Sequence, residues 1–220
     1  LPGFDDIIRN PSKVTPWSER TDSRLFWRAR STGVDFHTGW NWRAAHRIRL
    51  HVFATDTNGT VELLQEAKRE PGPDDPPRGP LRIGRPLKNP GDPENQIDIL
   101  KLNSYPRSEL VKKYLDVGLV GPLVQCDEPY PFCETVASEL GFLDVVPVSR
   151  GQDAKFVIDV DGNGWSQRYA RLLSSGSVVL KSTVFPEWNT NWLIPYYHYI
   201  VSLPLQDYSL EIEDSRIITI

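Results

Sequence analysis

The chain has 220 residues, a formal net charge of −4 and 39% hydrophobic residues, and it contains no methionine. Seven Trp and eight Phe indicate a folded core rather than disorder, and no run approaches the roughly 18 apolar residues of a membrane span. The negative net charge gives no reason to expect a nucleic-acid partner. Because translation begins with Met, we expect a processed chain or a fragment of a longer one.

Arginine is concentrated near the start of the sequence. Residues 20–49 contain seven Arg and no Lys against two Asp, which is a net charge of +5 (7 − 2), so the remainder carries −9 (−4 − 5). Arg without Lys favours planar, bidentate recognition of phosphate or carboxylate. A solvated helix face is an equally compatible interpretation of this window.

In chain order, the apolar spacing predicts a short strand over 24–28 and helices over 39–53 and 62–69. Residues 71–93 hold eight of the nineteen prolines and predict a surface insertion. After this insertion we expect a strand over 97–102 and helices over 108–117 and 133–140, the last ended by Gly141.

The clearest unit is residues 155–182. It predicts a buried strand over 156–160, a polar turn over 161–164, a helix over 166–173 and a second strand over 178–180. Strand, turn, helix and strand in this order are typical of a βαβ unit with parallel strands. The predicted fold class is therefore α/β, with a Rossmann-like parallel sheet.

The turn DVDGNG has part of a calcium-binding pattern. Asp159, Asp161, Asn163 and Gly164 satisfy the first positions of an EF-hand loop, but Ala170 stands where the bidentate Glu is required. A calcium-binding module is therefore kept only as a weak alternative, and no metal site is predicted.

Two loops after predicted strands have the composition of an anion site. The first contributes Arg28, Ser31 and Thr32, and the second contributes Gly164 and Arg168. Turns at the carboxyl ends of parallel strands, followed by a helix, are common phosphate-binding positions. A plain turn with a surface Arg remains the alternative for each loop taken alone.

Several isolated residues could also have a role. Cys126 and Cys133 could close a disulfide loop in an oxidising compartment or be free thiols in a reducing one. Asn58 begins an N-glycosylation sequon, and together these features favour the secretory pathway. Glu187 follows the second strand and is placed to bind ligand hydroxyls, whereas His198 is expected to be packed among aromatic residues rather than catalytic.

Three stretches together resemble glycosyltransferase family 90, which includes fungal capsule-associated xylosyltransferases and animal Rumi-type protein O-glucosyltransferases. The stretches are LFWR followed by RSTG, then WRAAHRIRL, and finally KFVIDVDGNGWSQRYARLLSSGSVVLKSTVFPEW with PYYHYI. They span about residues 25–200. The sequence departs from the family at Ala29, where Gly is usual, at YIVSLPLQ, and in the closing LEIEDSRIITI.

The resemblance implies the second domain of a GT-B glycosyltransferase. Residues 1–22 would be a linker or a remnant of the preceding domain, 23–205 the nucleotide-sugar-binding domain with insertion 71–93, and 206–220 a divergent tail. By the same resemblance, Arg28 and Arg168 bind the donor diphosphate. Further donor contacts are implied for Ser31, Thr32, Gly164, Ser166, Ser177 and Val178, and more weakly for Glu187.

The implied reaction is inverting and needs neither metal nor cofactor. A UDP-sugar, UDP-xylose or UDP-glucose, would give its sugar to a hydroxyl of a glycan or protein acceptor. The family's general base belongs to the first domain, so we expect it upstream of this chain, together with any membrane anchor. The implied location is the lumen of the Golgi or endoplasmic reticulum. The alternative function is a truncated, non-catalytic nucleotide-binding or calcium-binding module.

Overall fold

The computed structural model describes residues 14–66 and 100–202. The described strands are β1 Asp22–Ala29, β2 Thr60–Glu66, β3 Leu100–Pro106, β4 Leu115–Leu119, β5 Ala154–Val160, β6 Val178–Ser182 and β7 Ile200–Val201. The described α-helices are α1 His46–Thr55, α2 Arg107–Tyr114, α3 Phe132–Leu140 and α4 Tyr169–Leu173. Short 3-10 helices cover Trp17–Glu19, Trp42–Ala44 and Val148–Gln152.

Five strands form one sheet in the order β4-β1-β5-β6-β7, and all neighbours in it are parallel. β2 and β3 form a separate antiparallel pair. The fold is therefore mixed α/β, and its parallel sheet is compatible with the predicted Rossmann-like class. Within the described ranges, no helix has the length and apolar character needed to cross a membrane.

Much of the local prediction is confirmed. The strands predicted over 24–28, 156–160 and 178–180 lie within β1, β5 and β6, and the helix predicted over 133–140 is α3. Gly141 follows α3 with φ 60°, the left-handed conformation that commonly ends a helix. The helix of the βαβ unit is shorter than predicted, because it begins at Tyr169 rather than at residue 166.

Three predicted helices differ from the structure. The helix expected over 39–53 begins only at His46, after a 3-10 turn. Residues 62–66 belong to strand β2, where the β-branched Thr60 and Val61 suit pairing with β3. Residues 115–117 are in β4 rather than at the end of a helix, because LDVGL pairs with β1 and buries Val117 and Leu119 in the core.

Segments 1–13, 71–93 and 206–220 lie outside the described residues, so their predicted roles as remnant, insertion and tail stay predictions. Arg20, which lies within the segment 1–22 predicted to be a remnant or linker, contacts the parallel sheet. The Arg20 guanidinium is buried and donates to the carbonyl oxygen of Ala154 at 2.8 Å and to Ser177 Oγ at 2.6 Å.

The two faces of the sheet differ in character. Strand alternation directs the side chains of Leu25, Trp27 and Val117 toward α1 and α3, where the larger apolar core lies. The opposite face, called the α4 face here, packs against Tyr169 and Leu172 of α4 through Val157 and Val179. In-register neighbours in a parallel sheet share a face, so this face also carries polar side chains: Arg28, Asp116, Asp159 and Lys181.

Candidate functional site

The two loops predicted to form an anion site are adjacent at the carboxyl edge of the sheet. The backbone N–H of Gly33, after β1, donates to Asn163 Oδ1, after β5, at 2.7 Å. A Cβ added to Gly33 would lie only 3.0 Å from the carbonyl oxygen of Gly162. Glycine at both positions therefore allows the two backbones to approach each other closely.

Arg47 of α1 makes hydrogen bonds to both of these loops. Its buried guanidinium donates to the carbonyl oxygens of Asp161 at 2.7 Å, Val160 at 3.1 Å and Arg30 at 3.1 Å, and to Thr32 Oγ1 at 2.5 Å. Burial, reinforced by the nearby positive charge of Arg168, lowers the pKa of Arg47 to about 9. At neutral pH the side chain therefore stays charged and fixes the loop geometry.

The hydroxyls predicted to bind a ligand serve the protein itself. Ser31 is fully buried, and its Oγ accepts a hydrogen bond from the Val124 N–H at 3.2 Å. Thr32 Oγ1 is the acceptor for Arg47. Gly164 is different, because it has φ 114° and a Cβ there would meet nothing within 4 Å. The space above this glycine is open to an approaching group.

A buried ionic network begins at Asp159 on the α4 face. Its carboxylate is fully buried and accepts from Ser166 Oγ, from Lys181 Nζ at 3.3 Å and from Arg168 at 3.5 Å. Lys181 also donates to Glu187 Oε1 at 2.5 Å. The predicted donor contacts Ser166, Arg168 and Glu187 thus share one network, which the sequence reasoning did not anticipate.

One prediction about the residues after the DVDGNG turn needs correction. Arg168 is the residue before α4 rather than part of the helix predicted over 166–173, and α4 has only five residues, so the expected helix amino terminus is too short to serve as an anion site. Cationic side chains already neutralise Asp159. Within the described ranges no group of three or more His, Cys, Asp or Glu side chains could hold a metal ion.

Arg28 lies in a second ionic cluster on the same face. It donates to the backbone carbonyl oxygen of Asp116 at 2.7 Å and forms an ion pair with the Asp116 carboxylate. Arg150 and Arg24 also pair with Asp116, at 2.8 and 3.5 Å, and both contact Asp22. These three cations and two anions leave a net charge of +1.

A cavity of about 190 Å³ opens on the α4 face beside both networks. Three arginines line it: Arg28, Arg168 and Arg171. The Nε atoms of Arg28 and Arg168 are buried and have no hydrogen-bond partner in the described part of the chain. The apolar wall includes Phe26, Val120, Val146, Pro147, Val148, Val157 and Leu172. The cavity therefore combines apolar surface with cationic groups.

Arg171 is the lining residue that the sequence reasoning missed. Within residues 14–66 and 100–202 it forms no ion pair, and burial, followed by repulsion from Arg168, lowers its pKa. Arg171 follows Arg168 by three residues, and residues at this spacing are neighbours on a helix surface, so the sequence could have placed the two side chains together. Signals for the missed ionic network were also present, since Asp159 and Lys181 interrupt apolar strands and a buried charge needs a partner.

Other predicted residues are not brought to this cavity. Ser177 and Val178 lie at the amino end of β6, across the sheet from Ser31, Thr32 and Gly164. His198 is exposed, in contrast to the packed position expected, and its Nδ1 accepts from the Ile194 N–H at 2.9 Å. Its place in an exposed aromatic segment explains the difference.

The remaining two predicted features lie away from the cavity. Cys126 and Cys133 form a disulfide that joins the first turn of α3 to the loop before it. Asn58 is exposed on the turn before β2, where its side chain donates to Asp56 Oδ1 at 3.1 Å.

No protein-family model matches the chain, and neither a curated protein nor a solved structure matches it.

Proposed function

We propose that this chain is the donor-binding part of an inverting, metal-independent glycosyltransferase with GT-B architecture, and that its donor is UDP-xylose or UDP-glucose. One observation carries the proposal. Arg28 and Arg168, singled out from separate sequence motifs, line the same cavity and each keeps a buried Nε–H without a partner. Two guanidinium groups beside one cavity favour an anionic ligand.

The character of the cavity supports a nucleotide in particular. Its apolar wall suits the flat face of a base, and its three guanidiniums suit a diphosphate. A guanidinium fixed beforehand would stabilise the charge that develops on the diphosphate as the bond to the sugar breaks. Arg171 adds a third positive charge without an acidic partner in the described part of the chain.

The remaining reaction step needs a base that takes the proton of the acceptor hydroxyl. The described cavity lining contains no carboxylate, so the cavity serves the donor and leaving group only. We propose that the acceptor is a hydroxyl of a glycan or protein and that the base comes from another part of the enzyme. The disulfide and the exposed sequon support a location in the Golgi or endoplasmic reticulum lumen.

The decisive experiment is thermal unfolding with and without UDP. We expect UDP to raise the melting temperature of the chain. Arg168→Ala should weaken UDP binding by about 1.5–3 kcal/mol, the range for one charge-assisted hydrogen bond. Arg171→Gln should weaken binding too, without loss of stability, because Arg171 has no ion pair within the described residues to lose.

Arg43→Gln is the matched control, because Arg43 pairs with Glu139 on the surface, away from the cavity. It should leave UDP binding unchanged. A folded wild-type chain whose melting temperature does not respond to saturating UDP would refute the proposal. UDP binding without UDP release from a UDP-sugar by the whole enzyme would instead favour a non-catalytic nucleotide-binding module.

A further inference from the structure

The turn between α1 and β2 carries the triplet Asn58-Gly59-Thr60. It is the one Asn-X-Ser/Thr triplet in the sequence that can accept an N-linked glycan, because Asn10-Pro11-Ser12 has proline in the middle. We propose that Asn58 is a site of N-linked glycosylation and that its glycan shields the antiparallel ribbon of β2 and β3 from pairing with another chain. The proposal rests on the lumenal location proposed above and is independent of the nucleotide.

The turn has room for a glycan. All three residues of the triplet are exposed. Gly59 has φ 75°, and a Cβ placed there would meet nothing within 4 Å, so the space around the middle residue is open. Asn58 is not part of the lining of the cavity that contains Arg28, Arg168 and Arg171. A sugar attached at this turn therefore leaves that cavity accessible.

Asp56 holds the turn in a conformation that is compatible with the modification. Its Oδ1 accepts from the backbone N–H of Asn58 at 3.0 Å and from Asn58 Nδ2 at 3.1 Å. Its Oδ2 pairs with Arg107 at 2.9 Å, and the Arg107 N–H donates to the Gly59 carbonyl oxygen at 3.0 Å. The Nδ2 amide has two hydrogens. A glycan replaces one of them and leaves the backbone bond, the ion pair and one N–H donor in place.

The modification forms one bond and breaks one. The Asn58 amide nitrogen bonds to the anomeric carbon of an oligosaccharide carried on a lipid diphosphate, the co-substrate of the lumenal oligosaccharyltransferase. The bond from this carbon to the diphosphate oxygen breaks, the lipid diphosphate leaves, and the amide proton passes to a base of the transferase. The transferase requires a hydroxyl two residues after the asparagine, which Thr60 supplies.

The ribbon of β2 and β3 has edges that need protection. The two strands pair over seven residues each, and within the described ranges neither pairs with a third strand. Among these residues each strand presents backbone N–H and C=O groups along its outer edge, a template for pairing with another chain. Leu102 of β3 is 57% exposed and adds apolar surface. Asn58 stands two residues before β2, so a bulky, hydrated glycan there hinders another chain from lying along the ribbon.

The first test is mass spectrometry of the chain directed into the endoplasmic reticulum of yeast. Trypsin releases residues 50–68, which contain no internal Lys or Arg. We expect this peptide to carry a glycan that peptide N-glycosidase removes, leaving aspartate at position 58. Thr60→Val should lose the glycan, because it removes the hydroxyl and keeps a β-branched side chain for the strand. Thr60→Ser is the matched control and should keep the glycan.

The second test is dynamic light scattering of the folded proteins at increasing concentration. We expect the glycosylated chain to keep a constant hydrodynamic radius where Thr60→Val and the enzymatically deglycosylated wild type show a larger one. A charge on the edge, Leu102→Lys in the Thr60→Val background, should restore the smaller radius. The response to UDP should be the same in all of these proteins, so it tests the nucleotide proposal separately.

Two results would overturn the proposal. One is an unmodified peptide 50–68 from the folded, lumenal wild-type chain. The other is a deglycosylated chain that associates no more than the glycosylated chain does, because the ribbon would then need no shield.

Discussion

Replacement of Gly162 by Ala tests whether the two carboxyl-edge loops and Arg47 form one tightly packed unit. The added Cβ would lie 2.9 Å from Arg47 Nη2 and 3.0 Å from Thr32 Oγ1. Ordinary carbon contacts are about 3.5–4.0 Å, so the methyl group overlaps both neighbours by about half an ångström or more. Such overpacking costs about 1–3 kcal/mol, and we expect Gly162→Ala to lower the free energy of unfolding by that amount.

The measurement is urea unfolding followed by tryptophan fluorescence, arranged as a double-mutant cycle with Thr32→Ala. Thr32→Ala alone should cost about 1 kcal/mol, because it removes one hydrogen bond from Arg47. In the double variant the guanidinium can move into the vacated space. The double variant should therefore lose less free energy of unfolding than the sum of the two single losses, by a coupling energy of about 0.5–1.5 kcal/mol.

Gly59→Ala is the control substitution. Gly59 has φ 75°, and a Cβ there meets nothing within 4 Å, so the cost is backbone strain of about 1–2 kcal/mol. This cost should add to that of Thr32→Ala, because the two positions share no contact. If the Gly162 cycle is as additive as the Gly59 cycle, the proposed packing of the loops around Arg47 is wrong.

Two further predictions concern other parts of the fold. His51 is buried, its Nε2 lies at the Leu140 carbonyl oxygen, and its Nδ1 accepts from the Leu119 N–H at 3.1 Å, so the imidazole must stay neutral. Burial lowers the pKa of His51, and the unfolded chain therefore binds the proton more tightly than the folded chain does. The free energy of unfolding should fall as the pH drops below about 6.5, the ordinary pKa of histidine. Unfolding at pH values between about 7.5 and 5.5 measures this, and a smaller decrease in His51→Gln than in the wild type assigns it to His51. Replacing Cys126 and Cys133 by Ser should cost about 2.5 kcal/mol, from a loop with sequence separation 7, and an unfolding midpoint equal to that of the wild type would contradict this.

Local patterns in the sequence were sufficient for part of the fold. The apolar run in β5, the polar turn after it and the apolar run in β6 are adjacent in sequence, so residues 155–182 predict their own βαβ arrangement. Gly141 at the end of α3 is similarly local. β4 was missed because its pairing partner β1 lies about ninety residues earlier, and only that pairing makes LDVGL a strand.

The candidate site was less predictable for the same reason. Arg28 and Arg168 were found from composition and resemblance, but the shared cavity depends on how β1, β5 and α4 pack. Asp116 reaches Arg28 only because β4 pairs with β1, and Asp159 reaches Arg168 only through the turn after β5. The role of Arg47 depends on burial, which its own sequence neighbours do not reveal.

The position of β1 between β4 and β5 has a consequence for how the protein is made. β1 pairs with Leu115 and its neighbours on one side, but its other partner begins at Ala154. At ordinary translation rates, the ribosome needs on the order of ten seconds to synthesise the chain between β1 and β5. During that interval an edge of a future central strand has no partner, so we expect newly made chains to depend on chaperones that cover exposed strands.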